Sequence, residues 1–266
     1  MISQKERDDL EAFSFIFGAC FGSFLNVLIL KLPLNESLLT NKRSKCPSCN
    51  HMIYWYHNIP LFSYIFLRAK CAYCGNRISF QYFLVEFLSA LVTLLLYLKL
   101  GLNQEFIFMC LLSYVLIVLS FIDLKYKAVP DYLLLIVFLL CFFSTSFSFF
   151  DSFKNAFLFA GAFVLLNFVI TFYIQNIKSR LLKDESLKTQ EALGEGDIPI
   201  IAMIGVVLGV NSGIFAIFLA AFFAIIPSIY SNLVKKDIQT PFIPYLVLGF
   251  FTEYFFNIET IIKAFY

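Results

Sequence analysis

Long apolar runs limit the architecture of this chain before any motif is considered. A helix needs about 20 mostly apolar residues to cross the hydrocarbon core of a bilayer. Such runs occur at 12–31, 81–100, 105–122, 130–150, 155–175, 198–211, 213–231 and 242–260. They predict an all-α integral membrane protein of about eight transmembrane helices. The sixth run is short, and must be tilted, partly buried in protein or extended through its neighbours. Hydrophobic residues make up 60% of the chain and charged residues 14%, against about 25% charged in a soluble domain. Membrane lipid is therefore the expected surroundings. Alternating polarity, the mark of a membrane β-barrel, is missing. A net charge of +2 and no Lys/Arg stripe with interleaved aromatics argue against a nucleic-acid partner. The first run does not read as a cleavable signal peptide, because the mixed charges Lys5, Glu6, Arg7, Asp8 and Asp9 precede it and no small-residue cleavage site follows.

Orientation follows from Lys and Arg near the span ends. Residues 32–80 carry Lys42, Arg43, Lys45, Arg68, Lys70 and Arg77 against a single acid, Glu36. That segment is expected inside, with the N-terminus outside. Alternation then places Lys125 and Lys127, the cluster Lys178, Arg180, Lys183 and Lys188, and the pair Lys235 and Lys236 inside as well. The opposite loops hold only Lys154.

This inner loop contains two C-x2-C knuckles, Cys46–Cys49 and Cys71–Cys74, separated by 21 residues. A reducing compartment disfavours disulfides, and two thiolate pairs complete the tetrahedron that Zn²⁺ prefers. The competing reading is a set of free or redox-active thiols. A closed four-sulfur site leaves no open coordination position, so this zinc is structural, holding a small domain with little core of its own. His51 and His57 then read as surface or packing residues, and "YWYHNIPLFSYIF" as an aromatic segment able to lie against the membrane face. Cys20, Cys110 and Cys141 fall in apolar spans and read as packing residues.

Two aspartates stand where the third and sixth spans meet the inner face: Asp123 in "FIDLKYKAVPDYL" and Asp197 in "GEGDIPI". Taken singly, Asp197 is explained as a helix cap and Asp123 as an interfacial acid. Taken together they form a possible dyad. Carboxylates brought close share a proton, so one serves as acid and the other as base, enough to activate water and protonate a leaving amide nitrogen. Gly194 and Gly196 would admit an extended substrate backbone. Asp131, after Pro130, is the rival acid and reads as a cap. Glu86, about one turn inside the second span, either reaches a neighbouring helix or the interface, or lines a polar pocket. Both histidines lie in the cysteine loop, which excludes a Ser–His or Cys–His site in the membrane. A transporter or channel using Asp123 and Asp197 for ions or protons is the alternative.

Five blocks in order then carry a resemblance: "FGSFLNVLILKLP" (21–33), the paired C-x2-C region with "NIPLFSY" and "ISFQYFLVEFLSA", "DLKYKAVPDYL" (123–133), "GEGD" (194–197) and "TPFIPYLVLG" (240–249). The chain resembles the type IV prepilin peptidases, GxGD aspartyl membrane proteases of the bacterial inner membrane. The resemblance implies an aspartic endopeptidase that removes the short basic leader of type IV prepilins and type II secretion pseudopilins, just after a glycine, on the cytoplasmic side. It further implies S-adenosylmethionine-dependent N-methylation of the new N-terminal residue, usually Phe. Asp123 and Asp197 become the catalytic dyad, with Gly194 and Gly196 in the supporting motif. Cys46, Cys49, Cys71 and Cys74 become zinc ligands of the domain associated with methyl transfer. No motif marks a pocket for S-adenosylmethionine. The implied division is 1–31 as N-terminal segment and first helix, 32–80 as cytoplasmic zinc-binding domain, and 81–266 as seven-helix protease core. Glu195 is an extra acid beside the dyad, where relatives often carry an apolar or aromatic residue.

Overall fold

The computed structural model describes residues 4–34, 36, 45–182, 185, 194–230 and 241–265. Lys42, Arg43, Lys183, Lys188, Lys235 and Lys236, part of the orientation argument, lie outside these residues. The described chain is helical, with no strand and only two isolated antiparallel bridges, both in the cysteine loop. It divides into two compact units, Met1–Tyr126 and Lys127–Tyr266.

In the first unit, α1 (Gln4–Lys31) leads into the cysteine loop, which contains the short α2 (Phe62–Phe66); α3 (Phe80–Leu100) and α4 (Gln104–Tyr126) follow. Polar caps set the helix starts. Ser79 accepts the Gln81 N–H at 3.3 Å, and Asn103 Oδ1 accepts the Phe106 N–H at 2.7 Å. Small residues bring α1 and α3 into close contact. A Cβ at Gly18 would lie 2.8 Å from Ala90 Cα, and one at Gly22 would lie 2.6 Å from Glu86 Cα. Helices in lipid associate through such close packing, because apolar area gives them no preference for each other over lipid. α4 joins through a 2.7 Å hydrogen bond between the Thr93 and Tyr114 hydroxyls and through Phe21 stacked on Tyr114 at 5.2 Å.

The second unit contains α5 (Asp131–Cys141), α6 (Phe149–Phe172), which continues through a π-type turn over Tyr173–Lys178 into α7 (Ser179–Leu182), then α8 (Asp197–Tyr230), α9 (Ile243–Phe256) and α10 (Ile258–Phe265). α8 is not one straight rod. Gly209 has φ 77° and ψ −174°, outside the helical region. Cβ atoms at Gly205 and at Gly213 would both press on the ring of Phe159, at 2.5 and 2.7 Å. Eight residues of straight helix would hold those positions about 12 Å apart, so the chain bends sharply between them. The bend has a polar seal. Thr145 Oγ1 donates to the Val206 carbonyl at 3.0 Å, at the end of the first arm where carbonyls lose helical partners. Just past the bend, Ser212 donates to Glu259 of α10 at 2.6 Å.

Every expected apolar run is therefore a helix or a helical arm, in the expected order, but not every one is a full span. Among the described residues five helices are long and apolar enough to cross a membrane, six if α9 and α10, bent by 55°, count as one broken span. The fourth run shortens to the 11 residues of α5 because Ser144, Thr145 and Ser146 fall in the turn that follows it. The sixth run is the first arm of α8, about 18 Å long, too short to cross alone and surrounded by protein instead. Its boundary with the seventh run, expected near residue 212, falls at Gly209.

Candidate functional site

The cysteine loop is built twice on one plan. Lys45 bridges Met52 and Lys70 bridges Arg77, so each knuckle is closed by an antiparallel bridge that starts one residue before its first cysteine. Inside each closure the hydrogen bonds repeat. Cys46 N–H donates to the His51 carbonyl at 3.0 Å, and Asn50 N–H to the Cys46 carbonyl at 2.9 Å. Cys71 N–H donates to the Asn76 carbonyl at 2.8 Å, and Gly75 N–H to the Cys71 carbonyl at 3.0 Å. The fourth residue after each first cysteine is left-handed: Asn50 at φ 56° and Gly75 at φ 70°. Gly75 was foreseeable as the turn residue. Asn50 holds the same position because asparagine is among the few other residues that tolerate this conformation.

The two knuckles bring Cys46, Cys49, Cys71 and Cys74 together, with all four Sγ atoms within 4.8 Å of one another. Cys46 and Cys74 Sγ are 3.9 Å apart. Bonds of about 2.3 Å from zinc to sulfur give tetrahedral edges of about 3.8 Å, so the donor set fits that ion. The same distance excludes a disulfide, which needs about 2.05 Å. Backbone N–H groups of Cys49 and then Ser48 point at the Cys46 sulfur and hold its pKa down at about 6. Cys49 receives the His51 N–H, which acts in the same direction. Desolvation and the neighbouring Cys46, Cys74 and Cys71 outweigh it and push Cys49 up to about 11. One thiol is thus ready as thiolate, and its neighbour gives up a proton only when a metal arrives.

The histidines pack, as expected. His51 lies on Tyr73 at 3.7 Å and His57 meets Tyr56 edge-on at 4.5 Å. Between the knuckles the chain passes through three left-handed non-glycine residues, Leu61, Arg68 and Ala69. It leaves Trp55, Phe62, Ile65 and Phe66 exposed. The last three lie on one face of α2, which suits an apolar interface better than water.

Each aspartate is positioned within its own unit. Asp123 lies in the last turn of α4 and is 7% exposed; Asp197 opens α8 and is also 7% exposed. Their helices are the two most enclosed spans, with 67% and 61% of the central window buried. Acids belong on such helices, since a carboxylate facing lipid is costly. The rivals differ. Asp131 and Glu195 are both exposed. Asp197 is held by a local turn, its N–H donating to the Gly194 carbonyl at 3.1 Å and its Oδ2 accepting the Gly194 N–H at 3.2 Å. The two glycines serve different ends. A Cβ at Gly194 would make only ordinary contact with the Asp197 carboxylate, at 3.5 Å. One at Gly196 would lie 2.9 Å from Val129 Cγ2, so Gly196 is kept small by packing within the fold.

Glu86 is 8% exposed, and its Oε2 accepts the N–H of Leu61 at 2.8 Å. The second span is thereby bonded to the cysteine loop. Sequence reasoning left this acid between two readings, because its partner lies 25 residues upstream and no local pattern links the two.

Known proteins match this chain over most of its length. Residues 16–100 match the bacterial peptidase A24 N-terminal domain, and residues 110–229 match the type IV leader peptidase family. The prepilin leader peptidase/N-methyltransferase of Myxococcus xanthus is 36% identical over 197 residues, covering 74% of this chain and 55% of the relative. The protein of that name from Pseudomonas aeruginosa is 30% identical over 212 residues, 71% of this chain and 70% of the relative. The one from Vibrio cholerae is 29% identical over 252 residues, 90% and 94% of the two chains. No solved structure matches. With both domain models matched in order, and a relative 30% identical over more than two thirds of both chains, this chain belongs to the type IV leader peptidase family.

Proposed function

We propose that this chain cleaves the leader peptide of type IV prepilins and pseudopilins and N-methylates the residue exposed by the cut. One observation carries the reading. In a chain of this family, two acids within the matched residues 110–229, Asp123 and Asp197, are buried at the ends of the two most enclosed helices, whereas their nearest rivals, Asp131 and Glu195, face outward.

Asp123 and Asp197 act as the dyad. Asp197 opens a helix, where the macrodipole and the Gly194 N–H favour a negative charge; we assign it the role of base toward the attacking water. Asp123 closes a helix, where the dipole disfavours a second negative charge; it carries the proton that goes to the leaving amide nitrogen. The scissile peptide has to reach both carboxylates. Basic residues next to the helix ends, Lys125 and Lys127, support a cytoplasmic position for the site, with the N-terminus outside.

The cysteine loop of residues 32–80 is the zinc-binding domain, attached to a protease core of residues 81–266. Cys46, Cys49, Cys71 and Cys74 hold one Zn²⁺ whose closed tetrahedron is structural. S-adenosylmethionine supplies an electrophilic methyl group when bound. The transporter reading accounts for neither the four-thiol centre nor the family match. The test uses membranes carrying this chain, a prepilin, and S-adenosylmethionine present or absent. Leader loss is followed by gel shift and the mature N-terminus by mass spectrometry. Failure of intact, inserted protein to release the leader would remove the peptidase reading; a cleaved product with an unmodified amine would remove the methyl-transfer reading.

A further inference from the structure

A cleft of about 360 Å³ opens where α1 meets the cysteine loop, lined by Cys20, Ser23, Phe24, Val27, Asn58 and Pro60. Its size is at the lower end for small-ligand sites. Its inner wall is backed by charge. Ser23 lines the cleft and its side chain also lies next to the Glu86 carboxylate. Pro60 lines it too, and the next residue, Leu61, donates its N–H to the Glu86 carboxylate at 2.8 Å. The carboxylate thus stands directly behind two residues of the wall.

Glu86 is more than nine-tenths buried, and among the described residues no cation pairs with it. Its neighbourhood is rich in acceptors. One helical turn beyond Gly22, Asn26 is 2% exposed and spends its amide N–H groups on the Tyr82 carbonyl at 3.1 Å and the Gly22 carbonyl at 3.3 Å. Its Oδ1 has no hydrogen-bond partner. The Asn26 oxygen is costly to bury without a donor, and the Glu86 carboxylate, although it accepts from Leu61, keeps its charge uncompensated by a cation between two membrane helices. Phe24, Val27 and Pro60 give the cleft an apolar wall, with the Glu86 carboxylate behind Ser23 and Pro60.

We infer that the cleft binds a primary ammonium group borne on an apolar residue, with Glu86 as its counter-charge. On the function proposed above, on which this identification rests, that ligand is the new N-terminus of the cleaved pilin. Its α-ammonium lies toward Glu86 and its first side chain along Phe24, Val27 and Pro60. The zinc-held loop supplies one wall of the cleft through Asn58 and Pro60, which ties the metal centre to the step that follows cleavage.

The test is direct binding to the full chain in detergent micelles free of ethanolamine lipids. The probe is a fluorescent peptide with the N-terminal sequence of a precut pilin, beginning with Phe, either with a free α-amine or N-acetylated. The free amine is expected to bind at least about tenfold more tightly, the scale of one charge-assisted hydrogen bond. Glu86→Gln keeps an acceptor for Leu61 while removing the charge. It should cut the discrimination to less than about threefold at unchanged zinc content. Val27→Trp, which fills the cleft, should weaken both forms. Equal binding of the two peptides by the unaltered chain would overturn the proposal, as would full discrimination by zinc-loaded Glu86→Gln. Should Glu86→Gln lose its zinc, Val27→Trp decides: undiminished binding overturns the site. Displacement of the peptide by phosphatidylethanolamine at lower concentration than by unlabelled free-amine peptide would assign the cleft to lipid and overturn the peptide identification. Methyl transfer is measured separately. A chain that discriminates the amine but transfers no methyl group loses the methyltransferase reading and keeps this site.

Discussion

Gly22→Ala offers a stringent test of how the first unit is held together. The added Cβ would lie 2.1 Å from Ser89 Oγ, 2.6 Å from Glu86 Cα and 3.2 Å from the Val85 carbonyl oxygen. The serine can rotate only by giving up its bonds to the Val85 and Glu86 carbonyls, at 2.9 and 3.0 Å. Glu86 Cα cannot rotate at all, and it sits 0.8 Å inside the 3.4 Å lower bound of ordinary contact. α1 must therefore move away from α3, stretching the Asn26–Tyr82 bond at 3.1 Å. Overpacking of this kind costs about 1–3 kcal/mol, and alanine returns up to about 1 kcal/mol of helix propensity, so even with the full return the net loss reaches about 2 kcal/mol. Gly161→Ala is the matched control, since a Cβ there meets nothing within 4 Å and should gain up to about 1 kcal/mol. Helical circular dichroism followed through a denaturing-detergent titration separates the two. A Gly22→Ala protein as stable as Gly161→Ala would refute the close-packing argument. Zinc content should stay the same in both, because each knuckle closes on its own hydrogen bonds.

Other expectations follow from the sites. Asp123→Asn and Asp197→Asn should each lower leader cleavage by at least about 10²-fold in protein that remains inserted, whereas Asp131→Asn and Glu195→Gln, both at exposed positions, should leave the rate at saturating prepilin within about twofold; gel-shift rates decide. Purified protein should carry about one zinc through four thiolates, and Cys71→Ser should lose the metal and melt the loop while the spans keep their helicity, as metal analysis and circular dichroism would show. Zinc retention should depend on pH with a defined sign. The Cys46 pKa is depressed from 9.0 to about 6, so its thiolate favours the folded loop fully above pH 9 and loses that effect as pH falls through about 6. Cys49 stays protonated up to about 11 without metal, so binding near neutrality releases its proton; a zinc-release curve that rises with alkalinity between pH 5 and 8 would contradict this.

The cysteines were legible because their ligand spacing is local, and two residues between thiols is itself the geometry of a knuckle. The second left-handed position was legible only in part. Gly75 announces itself, while Asn50 is recognised only when the two knuckles are laid over each other, four residues after Cys46 and four after Cys71. Spans were legible by apolar length, and their interruptions were less so. Gly209 lies inside an unbroken apolar run, and nothing local shows that Phe159, some 50 residues earlier, receives both arms of the bend. Glu86 marks the limit most clearly. An acid one turn inside a span is a conspicuous signal, yet its meaning depends on Leu61 and Ser23, which reach it from a loop and from another helix.

The aspartates show how far burial adds to pattern. Sequence alone preferred Asp123 to Asp131 only through family order and the cap-like position after Pro130. In the fold the two acids stand on either side of one short connection, with Asp123 enclosed on α4 and Asp131 exposed at the start of α5. A carboxylate that works by holding a proton needs a site where water does not level its two states. Asp131 is open to solvent and has no such site. On the proposed dyad Glu195 stands apart in the same way, although it lies two residues from Asp197, because the Gly194 turn accompanies a buried Asp197 and an exposed Glu195. The extra acid in the motif can therefore alter the approach of a basic leader without joining the proton transfer. Glu195→Gln should accordingly raise the KM for a basic leader and spare kcat, and raising ionic strength should abolish the difference, since exposed charges are screened within about 8–10 Å. A kcat that falls with KM unchanged would place Glu195 in the chemistry and undo the assignment.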